Sequence, residues 1–127
     1  MSAIDLTKEN FQDVIDNNDI VLLDFWAEWC GPCKFFKPIF EAAAEKHPNI
    51  VFAKINTEVE QELGAMFQIR SIPTLMVFRE QIAIFSQPGA LQAPQLEELI
   101  TQIEALDMDM VRREIAEQEA KAATENA

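Results

Sequence analysis

The chain has two cysteines, and they stand two residues apart in Trp29-Cys30-Gly31-Pro32-Cys33-Lys34. An apolar run ending in Asp24-Phe25-Trp26 precedes the pair, and an amphipathic run from Phe35 to Lys46 follows it. The cysteines therefore fall where a buried strand hands over to a helix. A helix N-terminus offers free N–H groups and the positive end of its dipole, which stabilise a thiolate and so activate a thiol. Asp24 and Lys54 stand out because each interrupts an apolar run of strand length. A carboxylate so placed is either at an exposed strand edge or buried. Burial would raise its pKa and make it a candidate for proton transfer. His47, the only histidine, lies beside Pro48 at a helix end and reads as a surface residue rather than a catalytic one. Zinc asks for four ligands, and two cysteines with one distant histidine could supply them only across a dimer, so no metal site is expected.

The elements that must position these residues follow from hydrophobic periodicity. Ile4 and Leu6 alternate as a short strand, and Thr7 is placed to cap a helix carrying Phe11, Val14 and Ile15 on one face. Ile20 to Ala27 and Ile50 to Asn56 are near-continuous apolar runs suited to strands buried on both faces. Between them Phe36, Ile39, Phe40, Ala43 and Ala44 recur at helical spacing, with a kink expected at Pro38. Thr57-Glu58-Val59-Glu60 reads as a capping box opening a third helix. Leu75 to Phe78 and Ile82 to Phe85 form a hairpin whose turn, Arg79-Glu80-Gln81, has no Gly or Asn and so no assigned type. Pro94 opens a last amphipathic helix with Leu96, Leu99, Ile100 and Ile103 on its buried face. The order βαβαβα followed by ββα implies a three-layer α/β domain with a central mixed sheet.

At 127 residues the chain is expected to be one domain, and 49% hydrophobic residues are enough for one core. The net charge of −12 argues against nucleic acid or an anionic membrane as a partner. No apolar run approaches the roughly 20 residues needed to span a bilayer. The N-terminus lacks a basic segment followed by an apolar one, so no secretory signal is expected. A chain kept in a reducing compartment uses a Cys-x-x-Cys for redox or metal chemistry rather than for stapling. Residues 107–127 change character: they are acidic and Ala/Glu-rich, and read as a helical extension fraying toward Ala127.

Trp26-Ala27-Glu28-Trp29-Cys30-Gly31-Pro32-Cys33-Lys34 resembles the active-site motif of the thioredoxin family, and Ser71-Ile72-Pro73-Thr74 resembles its cis-proline loop. Asp24 falls where the family has a buried aspartate, Lys54 where it has that residue's lysine partner, Pro38 at its helix-kinking proline and Gly89 at its glycine near the site. The resemblance covers residues 4–104 and implies a thioredoxin domain over residues 1–106. It implies a protein-disulfide reductase of the cytoplasm, monomeric, with no bound cofactor beyond a redox-active Cys30–Cys33 disulfide. Client proteins and a thioredoxin reductase drawing on NADPH are the partners it implies.

On this reading Cys30 is the nucleophile, and Cys33, one turn inside and more buried, resolves the mixed disulfide. Asp24 beneath Cys33 takes and returns its proton, tuned by Lys54. Trp29, Gly31, Pro32, Ile72, Pro73, Gly89 and Ala90 would form a flat apolar docking patch, with Trp26 supporting it from below and Pro38 as structural support within the helix. The Gly-Pro dipeptide between the cysteines resembles that of the family's reductants. Ser71, Gln81, Pro88 and Gln92 depart from the family pattern, which bears on substrate preference rather than on chemistry. A rival reading is a client-binding, chaperone-type module with secondary redox activity, in which an exposed Met108 and Met110 on the extension adapt to varied partners.

Overall fold

The computed structural model describes residues 3–125. In chain order the elements are β1 (Ile4–Asp5), α1 (Phe11–Asp16), β2 (Ile20–Trp26), α2 (Gly31–Lys46), β3 (Val51–Asn56), α3 (Gln61–Met66), β4 (Thr74–Arg79), β5 (Ile82–Pro88), α4 (Ala93–Ala105) and α5 (Met108–Glu125). The strands form one sheet in the order β1-β3-β2-β4-β5. β1, β3 and β2 run parallel, while β4 and β5 are antiparallel to their neighbours.

The alternation of side chains along a strand divides the apolar residues into two cores. Ile20 and Leu22 of β2, Phe52 of β3 and Leu75 and Val77 of β4 face Phe36 and Phe40 of α2 and Leu96 and Ile100 of α4. Val21, Leu23 and Phe25 of β2, Ile55 of β3 and Met76 of β4 face Phe11 and Ile15 of α1 and Leu63 of α3. Helices therefore cover both faces of the sheet, and the central strand β2 is buried on both sides, as its continuous apolar run implies. Asp24 shares the parity of Leu22, and Lys54 that of Phe52. Both charges thus belong to the α2 side of the sheet, and the two residues are register partners on adjacent parallel strands.

Several local readings are corrected. α1 begins at Phe11, not at Thr7: the Asn10 Oδ1 accepts the Thr7 backbone N–H at 2.7 Å, and Asn10 is the N-cap residue. The Thr57–Glu60 capping box does not form. The Thr57 hydroxyl donates to the Trp26 carbonyl, the Glu58 N–H to the Asn56 Oδ1, and α3 starts only at Gln61. Gln92 is a working cap, because Gln92 and Gln95 form a reciprocal capping box at the start of α4. The hairpin turn has positive φ at both central residues, 50° at Glu80 and 70° at Gln81. Contacts from outside the hairpin hold it: the Glu80 N–H donates to the Asp19 carbonyl and the Gln81 side-chain amide to the Asp16 carbonyl.

The extension is one continuous helix, α5, through Glu125; fraying toward Ala127 lies outside the described residues. Met108 is buried at 4% exposure, against the exposure expected of it, while Met110 is exposed. Arg79 ties the end of α4, just before the extension, to the sheet, its Nη1 donating to the carbonyls of Ile103 and Leu106. Arg112 of α5 pairs with Glu80 of the hairpin turn and with Asp109. Among the described residues no helix is long and apolar enough to cross a membrane.

Candidate active site

Cys30 is the N-cap residue of α2, with extended φ and ψ, and Pro32 occupies the first helical turn, where a missing N–H costs nothing. The Cys33 backbone N–H points back and donates to the Cys30 Sγ at 3.2 Å. The two cysteines are joined as a disulfide, with Cα atoms 5.2 Å apart. The burial asymmetry expected between them is absent, since each is 3% exposed. What separates them is polarity: the Cys30 sulfur takes the free N–H of the helix end, a contact that favours negative charge on Cys30.

Asp24 is buried, at 2% exposure, so of the two positions open to it the interior one is correct. Its Oδ1 has no hydrogen-bond partner. Burial pushes its carboxyl up to about 7 from the ordinary 3.8, with the Lys54 charge acting in the opposite direction. A cavity of about 170 Å³ lies beside Cys33, and Asp24, Cys33, Trp26, Lys54 and Lys37 are among the residues that line it. A space of that size with polar walls has room for water between the carboxyl and the Cys33 sulfur. Trp26 is half-buried and is one of the side chains lining this cavity.

Lys54, whose charge opposes the upward shift of Asp24, is itself paired with α2. Its ammonium lies 3.4 Å from the Oε1 of Glu41 on α2. Glu41 was not singled out from the sequence, although Cys33, Lys37 and Glu41 follow at spacings of four and so share one stripe of α2.

Above the disulfide, the peptide bond Ile72–Pro73 is cis, and the Ile72 carbonyl oxygen lies 3.6 Å from the Cys30 sulfur. The Pro73 carbonyl accepts the N–H of Gly89, whose φ of 107° disfavours any side chain. Trp29, Gly31, Pro32 and Gly89 are exposed and Ile72 and Ala90 half-buried, but Pro73 is buried and belongs to the floor of the patch. Trp29, 68% exposed, is oriented by its indole N–H, which donates to the Glu58 carboxylate at 2.5 Å. The patch is not flat. A groove of about 640 Å³ opens beside Trp29 and Ile72, walled by Gly64 and Ala65 of α3 and by Arg70. Among the described residues no group of three or more His, Cys, Asp or Glu side chains is arranged to hold a metal.

A family model described as Thioredoxin matches residues 2–105. A relative from Streptomyces coelicolor, named as a thioredoxin 2, is 55% identical over 121 residues, covering 95% of this chain and 90% of its own, a span that reaches into α5. Thioredoxin C-3 of Corynebacterium nephridii is 43% identical over 80% of this chain and 71% of its own. Among solved structures, that of Plasmodium falciparum thioredoxin superposes with a TM-score of 0.72 at 31% identity, covering 79% of this chain and 97% of its own.

Proposed function

Because the chain belongs to the thioredoxin family and is a thiol–disulfide oxidoreductase of thioredoxin fold acting on disulfide-containing client proteins, we propose the following roles for its residues. In the reduced protein the Cys30 thiolate attacks one sulfur of a client disulfide. A Cys30–client bond forms, and the client's other sulfur leaves as a thiolate. Cys33 then gives its proton to Asp24, and its thiolate attacks the Cys30 sulfur. The Cys30–Cys33 disulfide forms and the second client thiolate departs, so two electrons pass from the cysteine pair to the client.

The observation that carries this reading is the Cys30–Cys33 disulfide at the N-terminus of α2, with the Cys33 N–H on the Cys30 sulfur. The cavity shared by Cys33 and Asp24 supports the proton path. Family members carry no prosthetic group, and the redox-active centre is the cysteine pair itself. Lys54 tunes Asp24 by its charge. Trp29, Gly31, Pro32, Ile72, Gly89 and Ala90 form the client-facing surface over the Pro73 floor, with Trp26 and Pro38 as support.

A cytoplasmic thioredoxin reductase using NADPH returns the disulfide to the dithiol. Residues 1–106 form the catalytic domain and residues 107–127 an extension to it. The chaperone-type alternative is not favoured: of the two methionines that motivated it Met108 is buried, and only Met110 is exposed. The test is insulin reduction by dithiothreitol, followed by turbidity: the wild type accelerates precipitation and Cys30→Ser does not. Equal rates for the two overturn the reading.

A further inference from the structure

Glu41 lies outside the sequence motif, yet it makes a direct ionic contact to Lys54, which lines the cavity beside Cys33. Its Oε1 is 3.4 Å from the Lys54 Nζ, and its Oε2 accepts the Ala3 backbone N–H, also at 3.4 Å. The Lys54 side chain is 16% exposed and that of Glu41 29%, so both charges are largely withdrawn from water and weakly screened. Among the described residues no ion pair within 4.0 Å joins Lys54 to Asp24, although the two are register partners and line one cavity. Lys54 thus shares a cavity with one carboxyl group and is paired with another, the one on the helix.

We propose that Glu41 is a positioning residue of this site: it holds the Lys54 ammonium against α2, out of contact with Asp24, and so keeps the buried carboxyl available as the proton carrier for Cys33. The proposal rests on the reading of Asp24 as that carrier. A direct Lys54–Asp24 pair would favour the carboxylate and weaken Asp24 as a group that can both take and return a proton near neutrality. Glu41 prevents that in two ways. It competes for the cation, and its own negative charge disfavours a second one nearby.

Glu28, Lys34 and Lys37 line the same cavity, Cys33 faces it from α2, and Asp5 of β1 is the register partner of Lys54 on the far side of β3. Among the described residues none of them is ion-paired with Lys54.

The experiment is titration of the Asp24 carboxyl by carbon-13 NMR in the oxidised full-length protein, where the cysteines do not titrate. Four proteins are compared: wild type, Glu41→Gln, Lys54→Met and the double variant. Glu41→Gln frees Lys54 to turn to Asp24, and the Asp24 midpoint is expected to fall by about one pH unit. In the Lys54→Met background the same substitution is expected to produce less than half that fall, because no cation remains to be released. A well-dispersed spectrum in the same sample establishes that each variant is folded. An unchanged or raised midpoint in Glu41→Gln overturns the proposal. An equal fall with and without Lys54 also overturns it, since Glu41 would then act only as a distant charge. The underlying reading fails separately: if Asp24→Asn leaves the pH profile of insulin reduction unchanged, Asp24 is not the proton carrier, whatever Glu41 does to its midpoint.

Discussion

Asp24 and Cys33 line one cavity of about 170 Å³, reached from opposite sides by the central strand β2 and the helix α2. Asp24 stands on β2 at the parity that faces α2, and Cys33 falls on the inward stripe of α2 one turn from its start. Strand alternation and helical periodicity, each fixed by burial elsewhere in the core, therefore bring an acid beneath a thiol without any direct bond between them.

The burial of Asp24 makes stability depend on pH. Its folded value of about 7 lies above the ordinary 3.8. Between those values the folded state keeps a proton that the unfolded state has lost. Stability therefore falls as pH rises through that window and levels off above it, by about 4 kcal/mol in all. Asp24→Asn has no such dependence. Urea unfolding of the oxidised proteins is expected to show the variant gaining on the wild type by about that amount between pH 4 and pH 8. Parallel profiles would mean that Asp24 is ionised in the folded state throughout.

The roles assigned to the two cysteines predict different trapped species. Cys33→Ser keeps the Cys30 nucleophile but removes the group that resolves the mixed disulfide. Incubated with oxidised insulin, it is expected to accumulate a covalent complex that is visible on a non-reducing gel and lost on adding dithiothreitol. Cys30→Ser is expected to form none. A complex on Cys30→Ser instead would reverse the assignment, which is a real test because both cysteines are equally buried in the oxidised protein.

Much of this site is legible in the sequence because burial patterns are strict. The runs around Asp24 and Lys54 mark β2 and β3, and their shared parity puts both charges under α2. Glu41 was equally available, at a spacing of eight from Cys33, but on a helix surface a charge is ordinarily solvated and nothing local marks it as paired across to a strand. The failed capping box at Thr57 shows the converse. The pattern was present, but the Trp26 carbonyl and the Asn56 side chain offered Thr57 and Glu58 competing partners, and tertiary contacts decided. The hairpin turn escaped assignment for the same reason, since its partners at Asp16 and Asp19 are remote in sequence.

That turn carries a cost that can be removed. Gln81 holds a φ of 70°, in the left-handed region, where a non-glycine residue is disfavoured by about 1–2 kcal/mol. Gln81→Gly relieves this but gives up the exposed hydrogen bond to the Asp16 carbonyl, worth about 0.5 kcal/mol there. The balance is a gain of about 0.5–1.5 kcal/mol, read as a higher urea midpoint with an unchanged slope. A loss of stability would show that the side-chain contact, rather than the backbone, dominates the turn.

The extension is expected to stabilise the domain without taking part in exchange. Met108 is buried, and Arg112 ties α5 to Glu80 at the far end of β4 from Pro73. Six residues of strand put that tie about 20 Å from the cis-proline loop. Met108→Ala creates a void and is expected to destabilise by about 2–4 kcal/mol. The exposed Arg112–Glu80 pair contributes less than about 1 kcal/mol, so Arg112→Ala is expected to change little. Both variants should reduce insulin at the wild-type rate at 25 °C, where the domain remains folded. A slower reaction in either, with full folding by circular dichroism, would place α5 in the client-binding surface and revive a partner-binding role for the extension.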